Sequence, residues 1–254
     1  MKRFGIGSDY MTTEMGQCKL CLKVKPLQNS HIIPELVFKP LYDDKHRFLG
    51  LHGDTGKYSI EQKGFRERLL CEECEKIFQP YEHYFSILWY KSYPLPNPVN
   101  DWCVERKGFD FEPFYRFHLS ILWRASVAQR SEFSAVALGP FEEPLRQFLL
   151  GAAASLQFEP TVHGMILRFP QTHEIWNGLR PPLRFSHNGV TGYTFVFGGC
   201  SWIYYVSKQK GPFEPLRLRR LGTIIMPVID YTEEGGITQA LKAWQKTSRR
   251  KINF

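Results

Sequence analysis

Four of the six cysteines form two C-x-x-C pairs, Cys18/Cys21 and Cys71/Cys74, and this spacing is typical of zinc ligands. Two intervening residues make a tight turn with both sulfurs on its inside, so two such pairs can supply four thiolates to one tetrahedral ion. Four sulfurs leave no open position, and the predicted zinc is therefore structural. The alternatives are a chance spacing or a redox C-x-x-C, but a redox motif needs only one pair.

The gap between the two cysteine pairs is much longer than the roughly 15–20 residues of a simple zinc ribbon, and it contains a second motif. This motif is Ser30-His31-Ile32-Ile33-Pro34. A neutral imidazole with a pKa of about 6.5 is a suitable general base at neutral pH, which makes His31 the candidate catalytic residue. The alternative is a histidine that only hydrogen-bonds the end of a strand.

Residues 18–82 resemble the HNH nucleases, also called His-Me finger nucleases, in the order of three motifs. The motifs are the first cysteine pair, His31-Ile32-Ile33-Pro34, and the segment Leu70-Cys71-Glu72-Glu73-Cys74-Glu75. The resemblance covers about a quarter of the chain. A narrower resemblance, to uncharacterised bacterial proteins, rests on residues 30–34, residues 69–75 and Tyr81-Glu82.

The resemblance implies a zinc-stapled finger of two strands and a helix, in which His31 deprotonates the water that attacks a DNA phosphate. It also implies a catalytic Mg²⁺ or Mn²⁺, ions that bind oxygen ligands and offset phosphate charge. The family's ligand position after the second cysteine pair falls on Glu75. Glu82, two helical turns further on, would share that face, and a solvated helix face is the alternative for both glutamates.

Two positions depart from the family pattern. Ser30 stands where the family usually has a carboxylate or a second histidine as a metal ligand. Arg66 stands near the family's central Asn, and Gln62 is the nearest amide side chain. These departures concern catalysis, so the rival hypothesis is a non-catalytic zinc module that binds nucleic acid or protein.

The formal net charge of +8 fits an anionic partner such as DNA, although solubility alone also accounts for it. Lys63, Arg66 and Arg68 precede the second cysteine pair and are candidate contacts to phosphates. Further basic residues are either additional contacts or solvated charges. They are Lys19, Lys23, Lys25, Arg217, Arg219, Arg220 and residues 249–251.

The chain is predicted to be an α+β protein in three parts. Residues 1–17 are a loose arm, residues 18–93 the nuclease domain, and residues 99–254 an accessory domain that positions substrate or docks a partner. The proline-rich residues 93–98 mark the boundary. Aromatic residues 81–90 have helical spacing and either stack bases or pack the finger onto the accessory domain.

The accessory domain is predicted to contain helices, an antiparallel sheet and a closing helix. Hydrophobic periodicity predicts helices over 112–129, 142–156 and 237–246, and strands over 162–169, 193–197, 201–206 and 223–229. A turn is predicted at residues 188–189.

Composition predicts a globular protein, with 43% hydrophobic residues. The polar N-terminus does not resemble a secretory signal, and no apolar run reaches the roughly 20 residues of a membrane helix. A cytoplasmic protein is therefore expected, where cysteine pairs bind metals more often than they form disulfides. By family analogy, a nuclease of this size serves as an effector in phage defence or restriction, with a sensor or ATPase as partner.

Overall fold

The computed structural model describes residues 14–52, 57–61, 64–156, 158–187, 189–207 and 214–231. It is a mixed α+β protein, as predicted. Several predicted features lie outside the described residues: Gln62, Lys63, Asn188, the helix over 237–246 and the basic residues 249–251.

The N-terminal part contains a three-stranded antiparallel sheet followed by a helix. Strands β1 (Met15–Gln17) and β2 (Val24–His31) are joined through the first cysteine pair. Strands β3 (Phe48–His52) and β4 (Lys57–Glu61) form a separate hairpin. Strand β5 (Arg66–Cys71) then pairs with β2. The order in the sheet is β1-β2-β5. The last three residues of the predicted arm therefore belong to a strand.

Helix α1 (Glu72–Ile87) begins directly after β5. Its first turn carries Glu72, Glu73 and Glu75, and acidic side chains stabilise the positive end of the helix dipole. Pro80 lies inside the helix without ending it. The helix therefore reaches Glu82, and the chain continues as a single π-helical segment, Leu88–Ser92.

The C-terminal part is built on a six-stranded sheet in the order β6-β11-β7-β10-β9-β8. Its helices are α2 (Phe111–Val127) and α3 (Glu142–Leu150). Its strands are β6 (Cys103–Lys107), β7 (Thr161–Arg168), β8 (Arg180–His187), β9 (Val190–Phe197), β10 (Cys200–Tyr205) and β11 (Thr223–Asp230).

This sheet differs from the prediction in two respects. It is mixed, because β11 runs parallel to β7 while its other pairings are antiparallel. It also contains two unpredicted strands, β6 and β8, at its edges. Pro181 and Pro182 in β8 argue against a central strand, but an edge strand tolerates residues that cannot donate a ladder hydrogen bond.

Helix α3 ends at Leu150 and not at residue 156. Gly151 follows with φ of 81°, a left-handed conformation that glycine adopts without strain and that commonly ends helices. Helix α2 agrees with its prediction within two residues at each end, and Asp110 caps it by accepting a hydrogen bond from the Glu112 amide.

The two parts share one continuous hydrophobic core, which includes Cys18 of the N-terminal part and Met226 of the C-terminal part. Phe85 of α1 is fully buried and stacks on Phe117 of α2, with ring centroids 3.9 Å apart. Trp89 is also buried, 5.1 Å from the Trp202 ring. The sequence left two roles open for the aromatic residues 81–90, stacking of bases or packing between the two parts. Phe85 and Trp89 pack between the parts. Among the described residues, no helix combines the length and hydrophobicity needed to cross a membrane.

Candidate functional site

The four predicted cysteines lie together and could hold a metal ion such as zinc. Their sulfurs are all within 4.8 Å of one another, and the Cys21 and Cys71 sulfurs are 3.9 Å apart. Four sulfurs at about 2.3 Å from one zinc ion are about 3.8 Å apart in a regular tetrahedron. The donor set and its spacing therefore fit a closed, four-cysteine site.

Two local structures hold the sulfurs in position. Cys18 and Cys21 lie in the β1–β2 turn, where Leu22 adopts a φ of 62° and donates to the Cys18 carbonyl at 2.8 Å. Cys71 ends β5, and its amide donates to the Cys18 sulfur at 3.3 Å, while Cys74 lies in the first turn of α1. A hydrogen bond from the Cys74 thiol lowers the pKa of Cys18 to about 4 and raises that of Cys74.

His31 is the last residue of β2 and pairs with Arg66 of β5. Its Nε2 atom is buried and has no hydrogen-bond partner. Burial, followed by the positive charges of Arg66 and Arg124, lowers the pKa of His31 to about 4 against an opposing effect of Glu35. The imidazole is therefore neutral at pH 7, the form that a general base requires.

Arg124 of α2 contacts the His31 end of β2, a connection that the sequence analysis missed. Its side chain is 1% exposed, and its Nη1 donates to the His31 carbonyl at 2.8 Å. The Nη2 atom lies 3.0 Å from Glu82 Oε1 and 3.2 Å from the Ser120 hydroxyl. The only sequence signal was a charged residue inside an otherwise apolar stretch of a predicted helix.

Glu75 and Glu82 both lie on α1, but their surroundings differ. Burial raises the pKa of Glu75, partly offset by the Ser30 hydroxyl and by Arg124, and its Oε1 atom is buried without a partner. Glu82 instead forms an ion pair with Arg124. Burial of a carboxylate costs free energy unless a partner compensates it, which makes the unpartnered Oε1 atom of Glu75 a candidate ligand atom.

Apart from the cysteines, the described residues form no group of three or more candidate ligands for a catalytic divalent cation. Among the described residues, the four cysteines are the group whose ligand atoms come close enough to hold an ion. Glu75, Glu82 and His31 do not form a second such group, and Glu82 is already neutralised by Arg124.

Ser30, the departure from the family pattern, joins the two strands. Its side chain is 2% exposed, and its hydroxyl accepts a hydrogen bond from the Leu70 amide at 3.1 Å. The same hydroxyl interacts with Glu75. Ser30 thus links β2 to β5 and to α1, next to His31.

The predicted phosphate contacts on β5 are partly engaged within the protein. Arg66 Nη2 is 3.7 Å from Glu35, while its Nε is buried without a partner. Arg68 Nη1 donates to the Leu27 carbonyl at 2.8 Å. Other basic residues pair with carboxylates: Lys25 with Glu73, Arg217 with Glu159 and Glu214, and Arg220 with Glu159.

The fold and the site together define an α+β protein with a four-cysteine cluster that could hold a metal ion and a half-buried histidine, His31, at the end of β2. Comparison with known protein families, with curated proteins and with solved structures finds no match to this chain.

Proposed function

We propose that this chain is an HNH-type endonuclease that hydrolyses phosphodiester bonds in DNA, with His31 as the general base. The observation that carries the proposal is the imidazole of His31, whose Nε2 atom is buried without a hydrogen-bond partner and whose pKa is lowered to about 4, at the end of the β2–β5 strand pair. The four cysteines tie the start of β2 to the β5–α1 junction. This order of strand, strand and helix agrees with the finger that the sequence resemblance implies.

The chemistry assigned to His31 is removal of a proton from the water that attacks phosphorus. Burial together with two neighbouring arginines opposes its protonation, so the base form persists in mildly acidic solution. Arg66, directly across from His31 in the strand pair, is the proposed contact to the scissile phosphate. The resemblance also implies a divalent cation, and Glu75 is the ligand candidate with a free oxygen.

A second candidate function is a non-catalytic zinc module that binds nucleic acid or protein. The ion pair between Arg124 and Glu82 favours it, because a carboxylate that is already neutralised is a poor cation ligand. Ser30 favours it as well, since its hydroxyl bonds the backbone of β5.

A plasmid-nicking assay with Mg²⁺ or Mn²⁺, and with chelator as a control, distinguishes these functions. We expect His31→Ala to lose at least about 100-fold in rate, the lower range for general-base catalysis, and to keep its bound zinc. His83→Ala is the matched control, because His83 is exposed on α1. Equal cleavage by the wild type and His31→Ala would refute the assignment of His31. DNA retention without any cleavage by the wild type would favour the binding module.

The proposed biological context is phage defence or restriction, with a sensor or ATPase partner. This part of the proposal rests on the resemblance alone. Co-purification of the full chain with the products of neighbouring genes tests it, and a nuclease fully active without any partner would argue against a required sensor.

A further inference from the structure

Arg124 is a fully buried arginine whose hydrogen bonds connect three elements of the protein. Besides the His31 carbonyl and Glu82 Oε1, it donates to the Ser120 carbonyl from Nε at 3.3 Å and to the Ser120 hydroxyl from Nη2. Its guanidinium also lies over the Phe78 ring, 5.1 Å from the centroid. Strand β2, helix α1 and helix α2 therefore meet at one side chain.

We infer that Arg124 is a positioning residue of the candidate site, holding the backbone of His31 and the carboxylate of Glu82 in one arrangement. This inference rests on the proposed function for its catalytic meaning. It also assigns Glu82 a different role from that of a cation ligand: Glu82 is the counter-charge that allows Arg124 to be buried beside His31. Helix α2 of the C-terminal part thereby completes the site of the N-terminal part.

The cost of burying a charge argues that this arginine does more than fill space. A buried ion pair often stabilises a protein no better than apolar side chains of similar volume would, because both ions must be desolvated. An apolar residue on this buried face of α2 would avoid that cost. Such a residue would neither bond the His31 carbonyl nor place a positive charge near the imidazole.

The charge of Arg124 acts on His31 together with three other features. Burial has the largest effect on the imidazole, Arg66 of β5 adds positive charge, and Glu35 of the short helix Glu35–Val37 adds negative charge. Arg124 contributes from α2 in the same direction as Arg66. It therefore affects His31 in two separable ways, through a hydrogen bond to the backbone and through its charge.

Lysine at this position separates the two effects. Lysine keeps the positive charge but cannot reproduce the planar fork that reaches His31, Ser120 and Glu82 together. We therefore compare Arg124→Met, which removes the charge and the fork, with Arg124→Lys, which removes the fork only. The matched control is Arg116→Met, because Arg116 also lies on α2 and pairs with a glutamate, Glu112, but does not face His31.

The experiment uses the full chain with its metal, and it reads His31 directly. Selective ¹³C-histidine NMR follows the eight imidazoles against pH, with the His31 signal assigned by its loss in His31→Ala. Zinc content, thermal midpoint and nicking rate are measured on the same samples. We expect Arg124→Met to raise the titration midpoint of His31 toward 6.5, because the substitution removes one of the two nearby positive charges that oppose protonation of the imidazole. We expect a drop of at least about 10-fold in nicking rate for both Arg124 variants.

Arg124→Lys should leave the His31 midpoint near that of the wild type while nicking still falls, and Arg116→Met should change neither. An unchanged His31 titration in a folded, zinc-loaded Arg124→Met protein would overturn the inference, whatever its nicking rate. If Arg124→Met does not fold, Arg124→Lys decides, and wild-type nicking by that variant overturns the inference. If the wild type never cuts DNA but the NMR shift occurs as expected, the proposed nuclease function is refuted. The inference that Arg124 positions His31 is then still supported.

Discussion

Three histidines have ring environments that oppose protonation: His31, which is half-buried, and His118 and His163, which are buried. His118 is completely buried and bonds the Tyr204 hydroxyl at 2.9 Å, and His163 bonds Thr161 at 3.1 Å. Burial lowers the pKa of all three, to about 4 for His31 and about 3 for His163. His118 and His163 lie in the C-terminal part, so only His31 is next to the candidate site.

These lowered pKa values predict a loss of stability in acid. Between the ordinary value of 6.5 and the folded-state value, the unfolded chain binds more protons than the folded chain. The contribution of these histidines to stability is therefore complete above pH 6.5 and is lost as pH falls, toward 4 for His31 and toward 3 for His163. Urea unfolding at pH 7 and pH 5 measures the change. His31→Ala should lose less stability over this interval than the wild type, and exposed His83→Ala should match the wild type; equal losses in all three proteins would contradict the role of His31.

At the scale of elements, the junction between β5 and α1 carries most of the site. Cys71 ends the strand and precedes the helix, Cys74 lies one turn later, and Glu75 follows on the same helix. The partner cysteines arrive from the β1–β2 turn, and Arg146 of α3 supports this turn by donating to the Leu20 carbonyl. A metal ion here would lock the relative positions of β2, β5 and α1.

Removal of one of the four clustered sulfurs should therefore destabilise the protein more than removal of a cysteine outside the cluster. We expect Cys71→Ser to lose bound zinc and the folded N-terminal part, because a structural zinc site contributes on the order of 10 kcal/mol to folding. Cys103→Ser is the control, since Cys103 lies on β6 outside the cluster. Zinc content by atomic emission and unfolding by circular dichroism test this. A Cys71→Ser protein that kept its fold and its zinc would disprove the metal site.

At the scale of the whole molecule, the described residues pack around one shared hydrophobic core. The domain boundary predicted at residues 93–98 stays a prediction. The core includes residues of α1, before that boundary, and of α2, after it. Phe85 contacts Phe117, Phe114 and Trp202, residues from two elements of the C-terminal part. The same packing holds α2, and with it Arg124, against the candidate site.

This shared core predicts cooperative unfolding. Phe85→Ala should lower the free energy of unfolding by about 3–5 kcal/mol, the usual cost of a phenylalanine-sized cavity. Tyr93→Ala should change it by less than about 0.5 kcal/mol, because Tyr93 is exposed. In the wild type, zinc release and loss of the sheet signal should occur at the same urea concentration. Two separate transitions would indicate that the parts fold independently.

Local patterns in the sequence were sufficient for the features that depend on near neighbours. The two C-x-x-C spacings predicted the cysteine cluster, and hydrophobic periodicity predicted α2, β7, β9, β10 and β11 to within a few residues. Strands β6 and β8 escaped prediction because edge strands with charged residues or prolines lack the apolar alternation of a central strand. The parallel pairing of β7 with β11 also had no local signal, because it joins segments about 60 residues apart.

The four cysteines were thus evident from residue type and spacing alone, because a metal site needs particular atoms at particular intervals, and the motif around His31 was evident as a sequence pattern. Tertiary structure alone brought Arg124 to the His31 carbonyl, 93 residues away in the chain, and gave Glu82 an ion-pair partner. Residue type cannot predict such a contact, since it depends on how α1 and α2 pack and on which polar atoms that packing leaves to be satisfied.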